Sequence, residues 1–278
     1  MLESARVSHT IAPLISDSLG ARIGDYDNSA EVNEELHREF TARTNEIPFL
    51  KEHRDWVEKN QWGFGDRAFH YMWLLVAQHL CSGAFHHPPS LLEIGVYKGQ
   101  VLSLLALCAR QLSARLDLYA ISPFKGTRNQ SRIVHALRRR LQPSYQKSLD
   151  LGNLYDQGDY LEACKIIFRQ FGLDFRNVTV FRGMSTDAEI YKRVEGRRFT
   201  AIYIDGDHSF EVVRQDLLTY SPLIEKGGLL IMDDASCDLP GEGYFKGYSA
   251  VSTAARIVPS LGFENVLNIG HNRIYRRN

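Results

Sequence analysis

Four aspartates directly follow two short apolar runs in the second half of the chain. The first run is Ala201–Ile204 and the second is Leu229–Met232. The acids after them are Asp205, Asp207, Asp233 and Asp234. Such runs predict buried strands, and the carboxyl ends of neighbouring parallel strands face one crevice. Like charges held that close are costly unless one takes a proton or a cation neutralises them. The pattern therefore indicates a metal site, a general base or both.

The residues between the two runs predict a helix, which makes this stretch a strand–helix–strand unit. We expect Gly227-Gly228 to end the helix, and its acids, Glu211 and Asp216, to face solvent or to cap locally. The apolar positions at helical spacing are Val212, Val213, Leu217 and Leu218.

A glycine turn after another predicted strand, E-I-G-V-Y-K-G at 93–99, is the second candidate for chemistry. Gly95 and Gly99 allow the backbone to approach a ligand closely, and the N–H groups of the following helix point into the crevice. Tyr97 fills the second glycine position of G-x-G-x-x-G, which disfavours a dinucleotide and hence NAD. Glu93, just before the glycine, suits a ligand with a cationic amino group.

These sites need a sheet to carry them, and strand-like segments alternate with helical ones along the chain. The pattern predicts an α/β fold with a doubly wound, mostly parallel seven-stranded sheet, Rossmann-like, whose last strand is antiparallel. The predicted strands are Leu91–Ile94, Leu116–Ile121, Asn177–Phe181, Ala201–Ile204, Leu229–Met232, Glu264–Ile269 and Arg273–Arg276.

The N-terminal part of the chain has no strand signal. Residues 1–65 are predicted to form a helical extension, either a lid over the site or an oligomer contact, and 66–278 the domain that carries the sheet. Residues 125–177 are long for one crossover and predict two helices, a basic one over Arg128–Leu141 and an apolar one over Tyr160–Phe171. One helix makes the crossover, and 125–160 is predicted to be an insertion near the strand ends. A homodimer or higher homo-oligomer through the N-terminal helices is left open.

Charge and hydropathy exclude several classes of function. Lys+Arg and Asp+Glu are both 33, so nothing indicates a nucleic-acid or membrane-surface partner. The apolar runs are far shorter than the roughly 20 residues that span a bilayer. No signal-peptide pattern opens the sequence and the cysteines form no C-x-x-C pair, so we expect a cytoplasmic protein.

Three motifs, in this order, resemble those of class I S-adenosylmethionine (SAM)-dependent methyltransferases. They are E-I-G-V-Y-K-G at 93–99, I-D-G-D-H-S-F-E at 204–211, and G-G-x-x-x-x-D-D at 227–234. The group they resemble is the metal-dependent O-methyltransferases of natural-product sugars and macrolides, of the macrocin and mycinamicin type. The resemblance covers about two-thirds of the chain. It implies methylation of a hydroxyl on a small molecule, a sugar or secondary metabolite.

The resemblance also implies a role for each matching residue. Glu93, Gly95 and Gly99 would line the methionine end of SAM, and the further cofactor-binding positions include Tyr97 and Asp205. The positions that match the divalent-cation ligands are Asp205, Asp233 and Asp234. The positions from which related enzymes draw a general base are Asp207 and His208. Oxygen-only ligands suit Mg²⁺, which keeps waters and leaves room for substrate hydroxyls.

One position departs from the family pattern. Family members usually carry an acid after the second strand to bind the ribose hydroxyls, and this sequence has Ser122 there. A serine hydroxyl cannot make the bidentate, charge-assisted contact of a carboxylate. Ser185, after the third strand, lies where an adenine contact is expected, but it could equally be the N-cap of the next helix.

The resulting hypothesis is hydroxyl methylation assisted by a metal. The cation would lower the pKa of the hydroxyl and orient it, and Asp207 or His208 would take the proton as the oxygen attacks the methyl group. His208 titrates nearer neutral pH and is placed slightly ahead, because Asp207 next to a cation would be a weaker base.

Other functions fit the same fold. An oxidising enzyme resembling the cephalosporin hydroxylases would share the strand-end acids, and histidine ligands for iron would favour it, with only His208 well placed in the sequence. A non-catalytic partner protein that has lost cofactor binding is favoured by Ser122 alone. The clustered acids argue against this last alternative.

Overall fold

The computed structural model describes residues 17–125, 132–143, 145–146, 158–241 and 247–278. The strands of this part of the chain are β1 (Ser90–Ile94), β2 (Asp117–Ser122), β3 (Val178–Arg182), β4 (Phe199–Ile204), β5 (Ile224–Met232), β6 (Phe263–Ile269) and β7 (Asn272–Arg277). They form a single sheet in the order β3-β2-β1-β4-β5-β7-β6. The first five in that order are parallel, and β7 is antiparallel to β5 and β6. The predicted α/β fold is therefore confirmed.

Helices cover both faces of the sheet. In chain order they are α1 (Leu19–Gly24), α2 (Ala30–Glu46), α3 (Pro48–Asn60), α4 (Ala68–Leu80), α5 (Gln100–Gln111), α6 (Arg132–Leu141), α7 (Tyr160–Gln170), α8 (Ala188–Lys192), α9 (Phe210–Tyr220) and α10 (Ser249–Ala255). No helix among the described residues is long and apolar enough to cross a bilayer.

The central strands are apolar because both of their faces are covered. Every residue of β1 and of β4 is buried, as expected for parallel strands between two helical layers. On one face the largely buried helix α4 packs on the sheet, with Trp73 edge-on to Tyr203 of β4 at 4.9 Å. On the other face, Val213 and Leu217 of α9 belong to one apolar cluster with Ile202 and Ile204.

The N-terminal helices pack into the same apolar core as the first face of the sheet. Phe40 of α2 meets Tyr71 of α4 edge-on at 5.0 Å. Nδ1 of His53 in α3 lies 3.0 Å from Nε2 of His70 in α4, and its Nε2 lies 3.0 Å from the Ser103 hydroxyl of α5. This buried polar chain links three helices. The chain then leaves α3 through Trp62–Gly65 and reaches the carboxyl edge of the sheet.

Two details of the central unit differ from the sequence-based expectation. Strand β5 begins at Ile224 rather than Leu229, and Gly227-Gly228 lies inside it, where the pairing with β4 shifts register. A β-carbon on Gly228 would lie 2.7 Å from the carbonyl oxygen of Thr200, so this glycine allows close strand contact at the bulge. The preceding helix α9 already ends at Tyr220, before a 3₁₀ turn that contains Pro222.

The predicted insertion is described only in part. Lys125 and Asp159 pair across the two ends of this segment, so the chain returns to the point where it left the sheet. The predicted helix over 128–141 is described from Arg132 onward as α6. The start of the predicted helix, at 128–131, lies outside the described residues, as does 147–157.

Candidate active site

The ends of β1, β4 and β5 meet at one edge of the sheet. The backbone N–H of Asp205 donates to the carbonyl of Ile94 at 2.8 Å, and that of Asp233 donates to Ile204 at 3.0 Å. These bonds extend the parallel pairing one residue past each strand and hold the two acids side by side. This pairing brings Asp205 and Asp233 to one rim, as expected from their positions at the strand ends.

Two cavities open at this edge. The larger has a volume of about 560 Å³ and is lined by the acids Glu93, Asp205, Asp233 and Asp234, by His271, and by an aromatic wall. The smaller, of about 140 Å³, lies toward β2 and β3 and is lined by Ser122, Ser185 and Asp207. Gly95, Tyr97 and Asp205 line both cavities, so a ligand could extend from one into the other.

Gly95 is the point of closest backbone approach in the site. Its φ is +101°, and a β-carbon there would lie 1.9 Å from the carbonyl oxygen of Asp205. Only glycine satisfies both conditions, since an L side chain would be strained at this φ and would collide with the β4 turn. Gly99, with φ +80°, precedes α5, and a β-carbon there would lie 2.8 Å from Sγ of Cys164. Both glycines are required by packing around the site.

Glu93 is a buried carboxylate at the floor of the larger cavity. It is 3% exposed, and its Oε2 has no hydrogen-bond partner among the described residues. Burial, and then the charge of Asp233, raise the pKa of Glu93 to about 8. A carboxyl group placed this way is costly to ionise unless a cationic group enters the cavity beside it.

Asp205 and Asp233 share the strand-end position but titrate in opposite directions. Burial, and then the charges of Asp233 and Asp234, hold the pKa of Asp205 well above its usual range. Its Oδ2 accepts a hydrogen bond from the Tyr203 hydroxyl at 3.1 Å. Burial would also raise the pKa of Asp233, but His271 outweighs it, so that pKa is lowered. The cluster therefore lacks enough positive charge to ionise all of its acids.

His271 is the site residue that the sequence analysis did not single out. It follows Gly270 in the turn between β6 and β7, is 6% exposed, and its Nδ1 lies 3.0 Å from Oδ1 of both Asp233 and Asp234. Burial opposes its charge, but Asp233 and then Asp234 raise the pKa of His271 to about 10. No sequence spacing links it to these acids, and only the pairing of β7 with β5 brings it beside them.

Asp234 lies between two imidazoles. Its Oδ1 contacts His271, and its Oδ2 lies 3.2 Å from Nε2 of His208. The backbone of Asp234 has φ +52°, and Gly247 packs against it so closely that a β-carbon there would lie 2.4 Å from the Asp234 carbonyl. This strained conformation is held by its surroundings and aims the carboxylate across the site.

The arrangement fits a cation. Two groups of side chains that share Asp234 each bring one ligand atom per residue within 4.8 Å of the others. One group is Asp205, His208 and Asp234, and the other is Asp233, Asp234 and His271. Each group combines half-buried aspartates, whose like charges call for neutralisation, with a buried histidine, and carboxylate oxygens and imidazole nitrogens are common ligands of divalent ions.

The two candidates for the general base occupy different places. Asp207 lines the smaller cavity, and its Oδ1 accepts a hydrogen bond from the backbone N–H of Ser209 at 2.7 Å. His208 is buried in the acid cluster, and its ring stacks on Tyr248 with centroids 4.2 Å apart. Tyr248 lines the larger cavity, while His208 is not among the described lining residues.

The remaining predicted cofactor contacts face the smaller cavity. The Ser122 hydroxyl donates to the carbonyl of Val96 at 2.8 Å and accepts from the Phe124 N–H at 3.1 Å, so it holds its own turn together. Ser185 is not the N-cap of α8, because that helix begins after Asp187. Tyr97 borders both cavities and stacks on Phe64 at 5.4 Å.

Asp216 does not face solvent as expected. It is 1% exposed, because it lies on the buried stripe of α9 with Val213, Leu217 and Tyr220, whereas Leu218 is exposed. Burial raises the pKa of Asp216 to about 7, although contact with Ser185 opposes the shift. The buried Asp216 thus contacts Ser185, which lines the smaller cavity. The expectation for Glu211 was correct, and that side chain is exposed.

Comparison with known families identifies the chain. Residues 92–235, more than half of the sequence, match the family model described as a methyltransferase domain. The chain belongs to this methyltransferase family. The match begins in β1 and ends just after the Asp233–Asp234 pair, so it contains the glycine turn and all four strand-end aspartates. The predicted resemblance to class I methyltransferases is confirmed.

Solved methyltransferase structures are similar to this chain in fold. The O-methyltransferase NovP is 17% identical, with a TM-score of 0.53 over 76% of this chain and 79% of that one. The SAH-bound methyltransferase PaMTH1 of Podospora anserina is 15% identical, with a TM-score of 0.52 over 88% and 96%. The calicheamicin methyltransferase CalS11 is 17% identical, with a TM-score of 0.50 over 94% and 97%. A comparison with curated protein sequences gives no match.

Proposed function

We propose that this protein is a SAM-dependent O-methyltransferase that acts on a hydroxyl of a small molecule with the help of a divalent cation. The observation that carries the proposal is the placement of Glu93. Its buried carboxylate, whose Oε2 has no hydrogen-bond partner among the described residues, lies at the glycine turn and lines the same cavity as the acids Asp205, Asp233 and Asp234. One cavity thus offers a contact for a cationic amino group and, beside it, a cluster able to hold a cation.

The residues around the glycine turn fit SAM. The amino group of its methionine part would compensate the carboxylate of Glu93, and Gly95 leaves the backbone open between the two cavities. The smaller cavity would receive the adenosine part, beside Ser122 and Ser185. Because the Ser122 hydroxyl already bonds two backbone groups, we expect it to support the turn rather than replace a ribose-binding acid. PaMTH1, a structural neighbour, is described as SAH-bound.

The acid cluster fits a divalent cation. Asp205, Asp233 and Asp234 would hold it, and a bound cation would lower the pKa of the acceptor hydroxyl and keep that hydroxyl in place. Tyr203 orients Asp205 through its hydroxyl, and the backbone bonds from Asp205 and Asp233 to the neighbouring strands fix the ligands. A rigid ligand set of this kind positions reacting groups, which supplies much of the rate of a transfer reaction.

We propose His208 as the general base and keep Asp207 as the second candidate. The carboxylate of Asp207 accepts a hydrogen bond from the Ser209 N–H and lines the smaller cavity, where the adenosine part of SAM would bind. Asp207 would therefore lie farther from the acceptor hydroxyl. His208 lies within the acid cluster and contacts Asp234, which can hold its ring in one orientation. Movement of Tyr248 would bring the acceptor to this imidazole, since the two rings are stacked.

The acceptor is proposed to be a sugar or another secondary metabolite with a ring system. Aromatic side chains from the N-terminal extension and from the domain line the larger cavity, among them Trp62, Phe64, Phe69, Trp73 and Tyr248. Flat walls of this kind bind sugar and aromatic rings by stacking. NovP and CalS11 are named as an O-methyltransferase and a calicheamicin methyltransferase. A cytoplasmic location, the lid role of residues 1–65 and a homo-oligomer remain predictions.

A second candidate, an oxidising enzyme with iron, gains one observation. His271 joins His208 beside Asp234, so two imidazoles contact the two oxygens of one carboxylate, and two histidines with a carboxylate are the residue types that hold non-haem iron. Family membership and the fit of Glu93 to an amino group favour methyl transfer. Binding of SAM separates the two candidates, and it separates both from a non-catalytic partner.

The deciding experiment is thermal unfolding with SAM, its demethylated product S-adenosylhomocysteine (SAH), and NAD in parallel. A ligand at about 100 times its Kd adds about 2.7 kcal/mol to the free energy of unfolding, which shifts Tm by several degrees. We expect a shift with SAM and SAH but not with NAD, and then methyl transfer from SAM when hydroxyl compounds are screened with divalent cations. No shift with either sulfur nucleotide would overturn the proposal.

A further inference from the structure

The imidazole of His271 is held rigidly at the acid cluster. The backbone carbonyl of His271 accepts a hydrogen bond from the backbone N–H of Ala235 at 3.0 Å. This bond fastens the turn before β7 to the end of β5. The His271 ring packs edge-on to Phe69 with centroids 4.4 Å apart. These contacts hold Nδ1 close to the carboxylates of Asp233 and Asp234.

The contacts of this nitrogen are close but are not aligned as hydrogen bonds. Nδ1 lies 3.0 Å from Oδ1 of Asp233 and 3.0 Å from Oδ1 of Asp234. Even so, Nδ1 of His271 and Oδ1 of Asp233 are both buried without a well-aligned hydrogen-bond partner among the described residues. A donor serving one carboxylate would be directed at it. A ring nitrogen that binds a cation together with two carboxylates does not need to be aligned with either carboxylate.

The spacing also matches neighbouring ligands of one ion. With bonds of about 2.1 Å and right angles between them, octahedral ligand atoms lie about 3 Å apart. Imidazole nitrogen is a ligand of first-row transition ions, whereas Mg²⁺ is held by oxygen. The sequence-based expectation of magnesium rested on an oxygen-only set, and His271 changes that set.

We propose that His271 is a protein ligand of a cation together with Asp233 and Asp234, and that it makes the site selective for a first-row transition ion over Mg²⁺. The inference rests on the proposed function only in that the acid cluster holds a cation. The proposal gives the two histidines separate roles. His271 binds the ion, and His208 accepts the proton from the acceptor hydroxyl.

The test measures metal binding directly. Protein freed of metal by chelation is titrated with Co²⁺ alone, followed by calorimetry and visible absorption, and separately with Mn²⁺ and Mg²⁺. We expect Co²⁺ and Mn²⁺ to bind at least about tenfold more tightly than Mg²⁺. His271→Gln should weaken Co²⁺ binding by at least about tenfold. Removal of a residue that only hydrogen-bonds to a metal ligand already has an effect of this size. The affinity for Mg²⁺ should change far less.

Two further variants complete the test. His79→Gln, at the end of α4 and packed on Phe85, is the matched control and should bind Co²⁺ as the wild type does. His271→Cys keeps a ligand at the position and should give a thiolate-to-Co²⁺ absorption band, which decides the question even if the glutamine variant folds poorly. SAH binding, measured on the same samples, reports on the proposed function separately.

Three outcomes would overturn the inference. They are equal effects of His271→Gln on Co²⁺ and Mg²⁺, tighter binding of every ion because a competing positive charge has been removed, and no absorption band in His271→Cys. The second outcome would assign His271 as an ion-pair partner of the acids only.

Discussion

Nε2 of His208 lies 3.2 Å from Oδ2 of Asp234, while the face of the same ring stacks on Tyr248 at 4.2 Å. The carboxylate and the aromatic ring together hold the imidazole in one orientation inside the acid cluster. A base held this way is already in position to accept a proton from the acceptor hydroxyl.

His208→Ala should therefore lower kcat of methyl transfer by roughly 10²–10⁴-fold, the usual scale for a general base. Asp207→Asn should have a much smaller effect, because its amide oxygen can still accept the Ser209 N–H. The measurement is kcat at saturating SAM and acceptor. A small loss for His208→Ala together with a large loss for Asp207→Asn would reverse the assignment.

Asp205→Asn and Asp233→Asn should abolish methyl transfer and leave SAH affinity nearly intact. Each change removes a charged ligand of the proposed cation but keeps the size of the side chain and the backbone bonds of the strand ends. Calorimetry with SAH and turnover with added cation measure the two effects. Glu211→Gln, an exposed acid at the first turn of α9, is the control and should behave as the wild type. Full activity after treatment with EDTA would rule out the metal.

Glu93→Gln should weaken SAH binding by roughly 10–100-fold, the range of a charge-assisted hydrogen bond lost to a neutral one. The same variant should be at least as stable as the wild type without ligand, because it removes a buried carboxyl that has no partner at Oε2. Glu225→Gln, a buried acid that pairs with His87, is the control and should leave SAH affinity unchanged. Unaltered SAH binding in Glu93→Gln would remove the main argument for SAM.

Asp216 should make stability fall as pH rises. Burial raises its pKa from 3.8 to about 7 in the folded protein, so the fold prefers the protonated form. Its contribution is complete below the unfolded pKa and is lost as pH rises through the folded pKa, with a ceiling of about 4 kcal/mol. Asp216→Asn should thus gain stability over the wild type at pH 8 and little at pH 4. Urea unfolding at both values tests this, and parallel pH profiles for the two proteins would contradict it.

Much of the site could be predicted because its signals are local. Apolar runs that end in acids identify strand ends, so the sequence places Asp205, Asp233 and Asp234 at one edge of the sheet. The glycine turn at Gly95 can also be predicted from the sequence. Its close approach to the Asp205 carbonyl cannot, because that contact depends on β1 and β4 being neighbours in the sheet.

Two local patterns are visible in the sequence, but the expectations drawn from them are wrong. The spacing of Val213, Leu217 and Tyr220 places Asp216 on the buried stripe of α9, but its charge favoured an exposed position. The pair Gly227-Gly228 is typical of a helix end, whereas in the structure it forms a bulge in β5 that only the pairing with β4 reveals. In both cases packing prevailed over the preference of the residue type.

The sequence by itself determined the α/β fold, the strand-end acids and the glycine turn, because periodicity and composition record which face of each element is buried. Only the tertiary structure decided that His271 joins Asp233 and Asp234, and that the Ser122 hydroxyl is used by its own turn. The reason is physical. Strand order and antiparallel pairing bring distant residues together, and no local pattern encodes which strand becomes the neighbour of β5.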